Sequence, residues 1–127
     1  MDRITFTYNW NNKLSGKIFT TLRLKNPKFR LDETYEIYLR KGKGFVFLCH
    51  ATIIDIRHIK LSAINEYIAG LDTGYSAHEC KNLIQTMYKR INPDWNTQIL
   101  SFILLRKETS KKFNSQPAPE YRQSEKA

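Results

Sequence analysis

Residues 17–25, KIFTTLRLK, alternate with a period of two. Ile18, Leu22 and Leu24 fall on one side with Thr20 among them. Lys17, Thr21, Arg23 and Lys25 fall on the other with Phe19. That period predicts a strand, because successive side chains of an extended chain point to opposite faces. The apolar side belongs against a core. The other side places cations and a hydroxyl opposite that core and is the first pointer to function.

The same reading extends along the chain. ITFTY (4–8) alternates and predicts a first strand. NWNNKLSG (9–16) offers a short helical turn ended by Gly16, with Trp10 placed against the core or the edge of a pocket. Asn26-Pro27 opens a connection. YEIYLR (35–40) is a third strand with Tyr35, Ile37 and Leu39 on one face. KGKG (41–44) is a hairpin turn. FVFLCHATIIDI (45–56) is a long apolar strand, bent near 50–52. The period then changes. Leu61, Ile64, Ile68 and Leu71 recur at helical spacing with Ser62 as cap and Gly74 as stop. SAHE (76–79) fits a capping box, opening a helix striped by Cys80, Ile84, Met87 and Ile91. NPDWN (92–96) stops it, with Trp95 expected to cover the sheet. TQILSFILLR (97–106) closes the fold as a strand. An α+β domain over residues 1–106 follows. The polar, proline-containing, aperiodic segment 107–127 is expected to be a disordered tail.

Composition narrows the class. The chain has 127 residues, 41% of them hydrophobic, which suits one domain with its own core. No apolar run approaches the roughly eighteen residues of a membrane span, and MDRITFTYNW lacks a signal peptide's apolar stretch. Cys49 and Cys80 form neither a CxxC pair nor a disulfide framework, so a cytoplasmic protein with reduced thiols is expected. The three histidines have no zinc-like spacing with either cysteine, and no phosphate-binding glycine loop occurs; neither metal nor cofactor is expected. The formal charge of +9 is uneven. Residues 13–43 hold nine Lys/Arg against three Asp/Glu, and residues 106–127 hold six against three. Residues 44–105 balance at five each. Cations concentrated in the first third and the tail suit a polyanion, because each neutralised phosphate releases counterions.

Gly16, Lys17, Thr21 and Arg23, with their Gly-Lys…Thr-x-Arg order, resemble the signature of ASCH domains, small barrels related to PUA domains. The block ending ATIIDIRHI, the segment LDTGYSAHECKNLIQTMY and the closing TQILSFILL resemble the family's further elements in order, over residues 4–105. The resemblance implies a PUA-like mixed β-barrel of five to six strands with two or three helices. It also implies a cleft beside the second strand that holds RNA or single-stranded nucleic acid. One branch of the family removes acyl groups from modified cytidine with a Lys, a Thr and a Glu. Here the Thr position falls on Thr21. The Lys position falls on Ile18, beside Lys17, and the Glu position on Thr73, beside Asp72.

Two of those three positions are off register, so nucleic-acid binding ranks above hydrolysis. The expected nucleic-acid contacts are Thr21 and Arg23 in the cleft, Lys17, Lys25, Lys28 and Arg30 on a basic rim, and Tyr75 stacking on a base. Arg23 could instead pair with Asp72 or Glu66, and Tyr75 could pack the corner between the helices. In the hydrolase reading Lys17, Thr21 and Asp72 would be catalytic, and the partner a modified nucleoside. A third reading is an interaction domain that meets an acidic protein.

Overall fold

The computed structural model of the protein describes residues 1–109. Among them are five strands: β1 (Arg3–Phe6), β2 (Ile18–Leu24), β3 (Thr34–Lys41), β4 (Gly44–Lys60) and β5 (Ile99–Lys107). They form one mixed sheet in the spatial order β1-β3-β4-β5-β2. β1 runs parallel to β3; the other three neighbouring pairs are antiparallel. Between β4 and β5 the chain inserts two helices, α1 (Glu66–Asp72) and α2 (Ala77–Met87).

The two faces of β2 meet two different cores. Phe19 joins Ile4, Phe6, Tyr35, Ile37, Ile53, Ile103 and Leu105 in one cluster. Leu22 joins Leu61, Ile64, Ala69, Cys80, Ile84 and Leu100 in a second, on the helix side. Both faces of the strand are therefore largely covered, and Thr20 and Thr21 are buried with it. In β4 the register slips between Ile53 and Asp55, an extra residue facing β5. That bulge keeps Ile53 and Ile56, three residues apart, packed against the same cluster, which an unbroken two-residue period would forbid. A second irregularity lies where Ile37 and Tyr38 face Cys49 and Phe47. Two register irregularities thus flank the stretch 50–52, where a bend was expected.

A closed barrel was expected, and the sheet is open. β1 and β2 are both edges with no ladder between them. The sheet nevertheless curls until those edges are neighbours. The Phe6 and Phe19 rings meet edge-on with centroids 5.9 Å apart. Across the seam the Arg23 guanidinium donates to the carbonyl of Thr5 at 2.6 Å. A side chain thus makes the connection that strand pairing would make in a barrel.

The helical region also differs from its expected form. The segment 61–74 is not one helix. Leu61–Ala63 forms a 3₁₀ turn, Ile64 is extended, and Asn65 caps α1 by accepting from the Ile68 N–H. Leu71 consequently points outward while Ala69 is buried. The capping box at Ser76 and Glu79 is present, and hydrogen bonding to the Ser76 backbone N–H and then to its side chain holds the Glu79 carboxyl below its usual range. α2 ends at Met87, a turn earlier than the stripe predicted, and leaves Met87 and Ile91 exposed. At the other end of the domain, the Lys107 N–H donates to the Lys17 carbonyl at 2.8 Å, and the Glu108 N–H to His50 at 2.9 Å. β5 itself runs to Lys107. The rest of the expected tail, from residue 110 onward, lies outside the described residues.

Gly74 links α1 to α2 in a left-handed conformation, φ 79°. A Cβ there would sit 2.8 Å from Cγ of Asn11, in the turn at Trp10–Ser15. Gly74→Ala should therefore cost about 1–3 kcal/mol in chemical denaturation, from strain and displacement of that turn. Gly44→Ala, where a Cβ meets nothing within 4 Å, serves as the control and should change stability far less.

Candidate functional site

The seam between β1 and β2 opens into a cleft of about 180 Å³. β1 and the residues after it supply Thr5, Phe6 and Tyr8, β2 supplies Thr21 and Arg23, and α2 closes the far wall with Ile84 and Met87. Lys13 and Asp72 line its depth, and Trp10 stands at its side.

Arg23 is fixed by three groups. Its Nε donates to Thr21 Oγ1 at 2.9 Å, its Nη2 reaches the Thr5 carbonyl, and its guanidinium carbon lies 4.8 Å from the centre of the Phe6 ring. Burial lowers its pKa from the ordinary arginine value, yet a guanidinium stays charged near neutrality. Thr21 accepts from Arg23, which leaves its own hydroxyl hydrogen to donate elsewhere. These two residues were singled out in the sequence, and they are joined in the cleft.

The deeper charge pair joins Asp72, an expected residue, to a lysine from outside the expected set. Lys13 Nζ lies 2.8 Å from Asp72 Oδ1, with side chains only 7% and 8% exposed. Thr20 Oγ1 donates to the same carboxylate oxygen at 3.0 Å. Lys13 Nζ is also 5.5 Å from the Phe6 ring centre, so that ring lies near both cleft cations. Burial lowers the Lys13 pKa, and Asp72 opposes the shift only in part. Sequence spacing places Lys13 only in a turn, and its partner is 59 residues away. No local spacing could have joined them. The alternative that Asp72 or Glu66 would pair with Arg23 is not what forms: Asp72 takes Lys13, and Glu66 Oε1 accepts from the Ala77 N–H.

The remaining expected residues are dispersed. Lys17 is exposed, one residue before β2, and lines no part of the cleft. It does not meet Asp72; Lys13 occupies that position because the Trp10–Ser15 turn folds back over the start of β2. Lys25 lies exposed beyond the end of β2, and its backbone N–H donates to Ile99. Lys28 donates to the Arg3 carbonyl at 3.1 Å, and Arg30 lies 3.7 Å from Glu33. These three cations do not line the cleft; they stand on the surface around the connection from β2 to β3. Tyr75 lies against Trp10 with ring centroids 5.7 Å apart, and Trp10 against Tyr8 at 4.5 Å. Tyr75, in the link between α1 and α2, thus extends an aromatic row whose other members, Tyr8 and Trp10, line the cleft. Trp95 packs on the helix-side core near Tyr88.

Burial raises both cysteine thiols above their usual pKa. Among the described residues no group of three His, Cys, Asp or Glu could hold a metal ion, and no helix is long and apolar enough to cross a membrane. Comparison with protein-family models, with curated proteins and with solved structures finds no match to this chain.

Removing one member of a buried ion pair leaves the other charge without compensation. Lys13→Met and Asp72→Leu should each lose about 3–5 kcal/mol, and the double variant should recover much of that loss. A double-mutant cycle by denaturation measures it; additive losses would show that the pair is not coupled. The depressed Lys13 pKa also sets a pH dependence. Between its folded value and its ordinary one, the unfolded chain binds more protons than the folded chain. Stability should therefore rise as pH climbs through that window toward the ordinary lysine value. The slope attributable to this group should vanish in Lys13→Met.

Proposed function

We propose that the protein binds RNA or another single-stranded nucleic acid, taking one base or phosphate into the cleft between β1 and β2. The observation that carries this reading is the cleft's donor set. Arg23, Thr21 and Lys13 all present donors there against the single carboxylate of Asp72. A pocket so lined favours an anion or a carbonyl-bearing ring over a cation. At about 180 Å³ it falls below the roughly 300–1,000 Å³ typical of drug-sized ligand pockets, so it suits one ring or one phosphate. The rest of a strand would lie outside. There the row Tyr8, Trp10 and Tyr75 offers faces for further bases, each stack worth about 1–3 kcal/mol. The surface cations Lys17, Lys25, Lys28 and Arg30 would add salt-sensitive attraction. A PUA-like fold of the ASCH type agrees with this reading through the order of elements and the Thr21–Arg23 pair. The open seam departs from a closed barrel.

A second reading follows from one observation, the Lys13–Asp72–Thr20 set. In that set Asp72 can accept the proton of a water attacking an acyl carbonyl while the Lys13 ammonium gives one to the departing amine, and the proton on Asp72 then passes to Lys13 across their 2.8 Å contact. This amidohydrolase reading of an acylated cytidine moves the lysine role from Lys17 to Lys13.

Binding to a short single-stranded RNA, measured across a salt series, tests the first reading. Affinity should fall with salt, each phosphate contact contributing about −0.7 to the slope in logarithmic units. Arg23→Ala should weaken binding more than Lys111→Ala does, and affinity indifferent to salt would remove phosphate contact from the account. Incubation with N4-acetylcytidine decides the order of the two readings. Release of cytidine that persists in Lys17→Met and disappears in a folded Lys13→Met would place hydrolysis first.

A further inference from the structure

The hairpin of β3 and β4 extends beyond the rest of the sheet. β5 pairs with β4 only from Ala51 onward, at Lys107, while β3 follows β4 down to Gly44. Among the described residues, no strand lies beside Gly44–Cys49 on the side away from β3. An edge of this kind presents backbone donors and acceptors that a further strand can use. Its side chains are apolar on both faces: Phe45, Val46, Phe47 and Leu48 are each between 38% and 49% exposed. Four consecutive exposed apolar residues beside an open edge are a feature soluble proteins usually suppress with charge or proline, and this stretch contains neither.

The charges around the ribbon select the occupant. Arg40, Lys41 and Lys43 crowd its tip, and Lys17 and Lys107 meet at its base. The nearby carboxylates already have cationic neighbours: Glu36 lies 3.6 Å from Arg3, and Glu108 lies 3.4 Å from Arg106. A second copy added antiparallel would bring one tip's cations against the other's base, like against like. The chain's own continuation past Thr109 begins Ser-Lys-Lys, which is no better matched. A nucleic acid would answer the cations but leave the apolar side chains and the backbone edge uncovered. We infer that Gly44–Cys49 is a docking edge for an extended segment of a partner protein in which apolar and acidic residues alternate. It would be added as a strand beside β4. On one face its apolar side chains would cover Phe45 and Phe47, and from the other its carboxylates would reach Lys41, Lys43 and Lys107. This surface is separate from the Arg23 cleft and does not depend on what the cleft binds.

The test uses the full chain and two short capped peptides, one alternating valine with glutamate and one alternating valine with lysine, followed by fluorescence anisotropy. Saturable binding of the glutamate peptide, at least about tenfold tighter than the lysine peptide, is expected. Phe47→Ala should weaken it. Lys41→Glu with Lys43→Glu, at an exposed hairpin tip where misfolding is a small risk, should invert the preference. Arg23→Ala should leave it unchanged. Equal binding of both peptides, or none, would overturn the inference. So would three other results. Self-association abolished by Phe47→Ala would assign the edge to a second copy. Peptide binding seen only after removal of residues 110–127 would assign it to the chain's own end. RNA binding lost on charge reversal, with no peptide bound, would make the ribbon a nucleic-acid surface.

Discussion

A lysine and an aspartate, both almost wholly withdrawn from water, hold the site together. Lys13 and Asp72 come from the turn before β2 and the last residue of α1, and their side chains are 7% and 8% exposed. Taking each charge out of water costs several kcal/mol, and the cost is recovered only if the partner stays in place. The pair therefore acts less as net stabilisation than as a geometric requirement. The turn, the helix end and Thr20 of β2 must meet at one carboxylate oxygen or the fold leaves a charge stranded. Gly74 permits the meeting, since its left-handed backbone and absent Cβ let the α1–α2 link approach Asn11.

Beside that pair the sheet curls without closing. β1 and β2 lie at opposite ends of the strand order, so no ladder hydrogen bonds join them. The gap is spanned by Arg23, anchored on Thr21 and reaching Thr5, with the Phe6 ring beside it. A side-chain bridge leaves room that a strand ladder would fill, and the cleft is that room. Two cations and one carboxylate at its lining leave one positive charge in excess. The field inside thus has the same sign as the surface around residues 13–43, where the cations outnumber the acids nine to three.

Elements governed by local rules were legible in the sequence. The alternation of β2 and β3, the Ser76 capping box and the closing strand all follow from spacing within a few residues. The turn between β3 and β4 does too, with Gly42 at positive φ. Thr21 and Arg23 were legible as a pair because residues two apart on one strand share a face. Lys13 was not, since its role is defined by a carboxylate 59 positions later and by the folding back of a turn. Lys17 drew attention through its neighbours in sequence, but the turn before β2 brings Lys13, and not Lys17, to the carboxylate. The split at Ile64 and the outward Leu71 were hidden for a related reason: helical spacing at 61–71 is the same whether one helix forms or Asn65 caps a shorter one. The open seam was hidden as well, because strand count and order of types do not specify whether two edges pair.

The small cleft and the broad charge distribution bear on each other. A pocket of about 180 Å³ can contact only one unit of a polymer, so it could supply discrimination but little of the affinity a polyanion partner would need. Lys25, Lys28 and Arg30, which line no part of it, can supply attraction at a distance but no discrimination, since contacts from exposed cations to phosphates carry no base information. The aromatic row Tyr8–Trp10–Tyr75 lies between these two, rigid enough to stack and indifferent to base identity. For a ligand that spanned all three, the bound unit in the cleft would set the register, the rings would set the direction of the strand, and the cations would set the rate of encounter. A free nucleoside would use only the first, so its weaker binding relative to a short strand is the quantity that separates a polymer-binding cleft from one built for a small molecule.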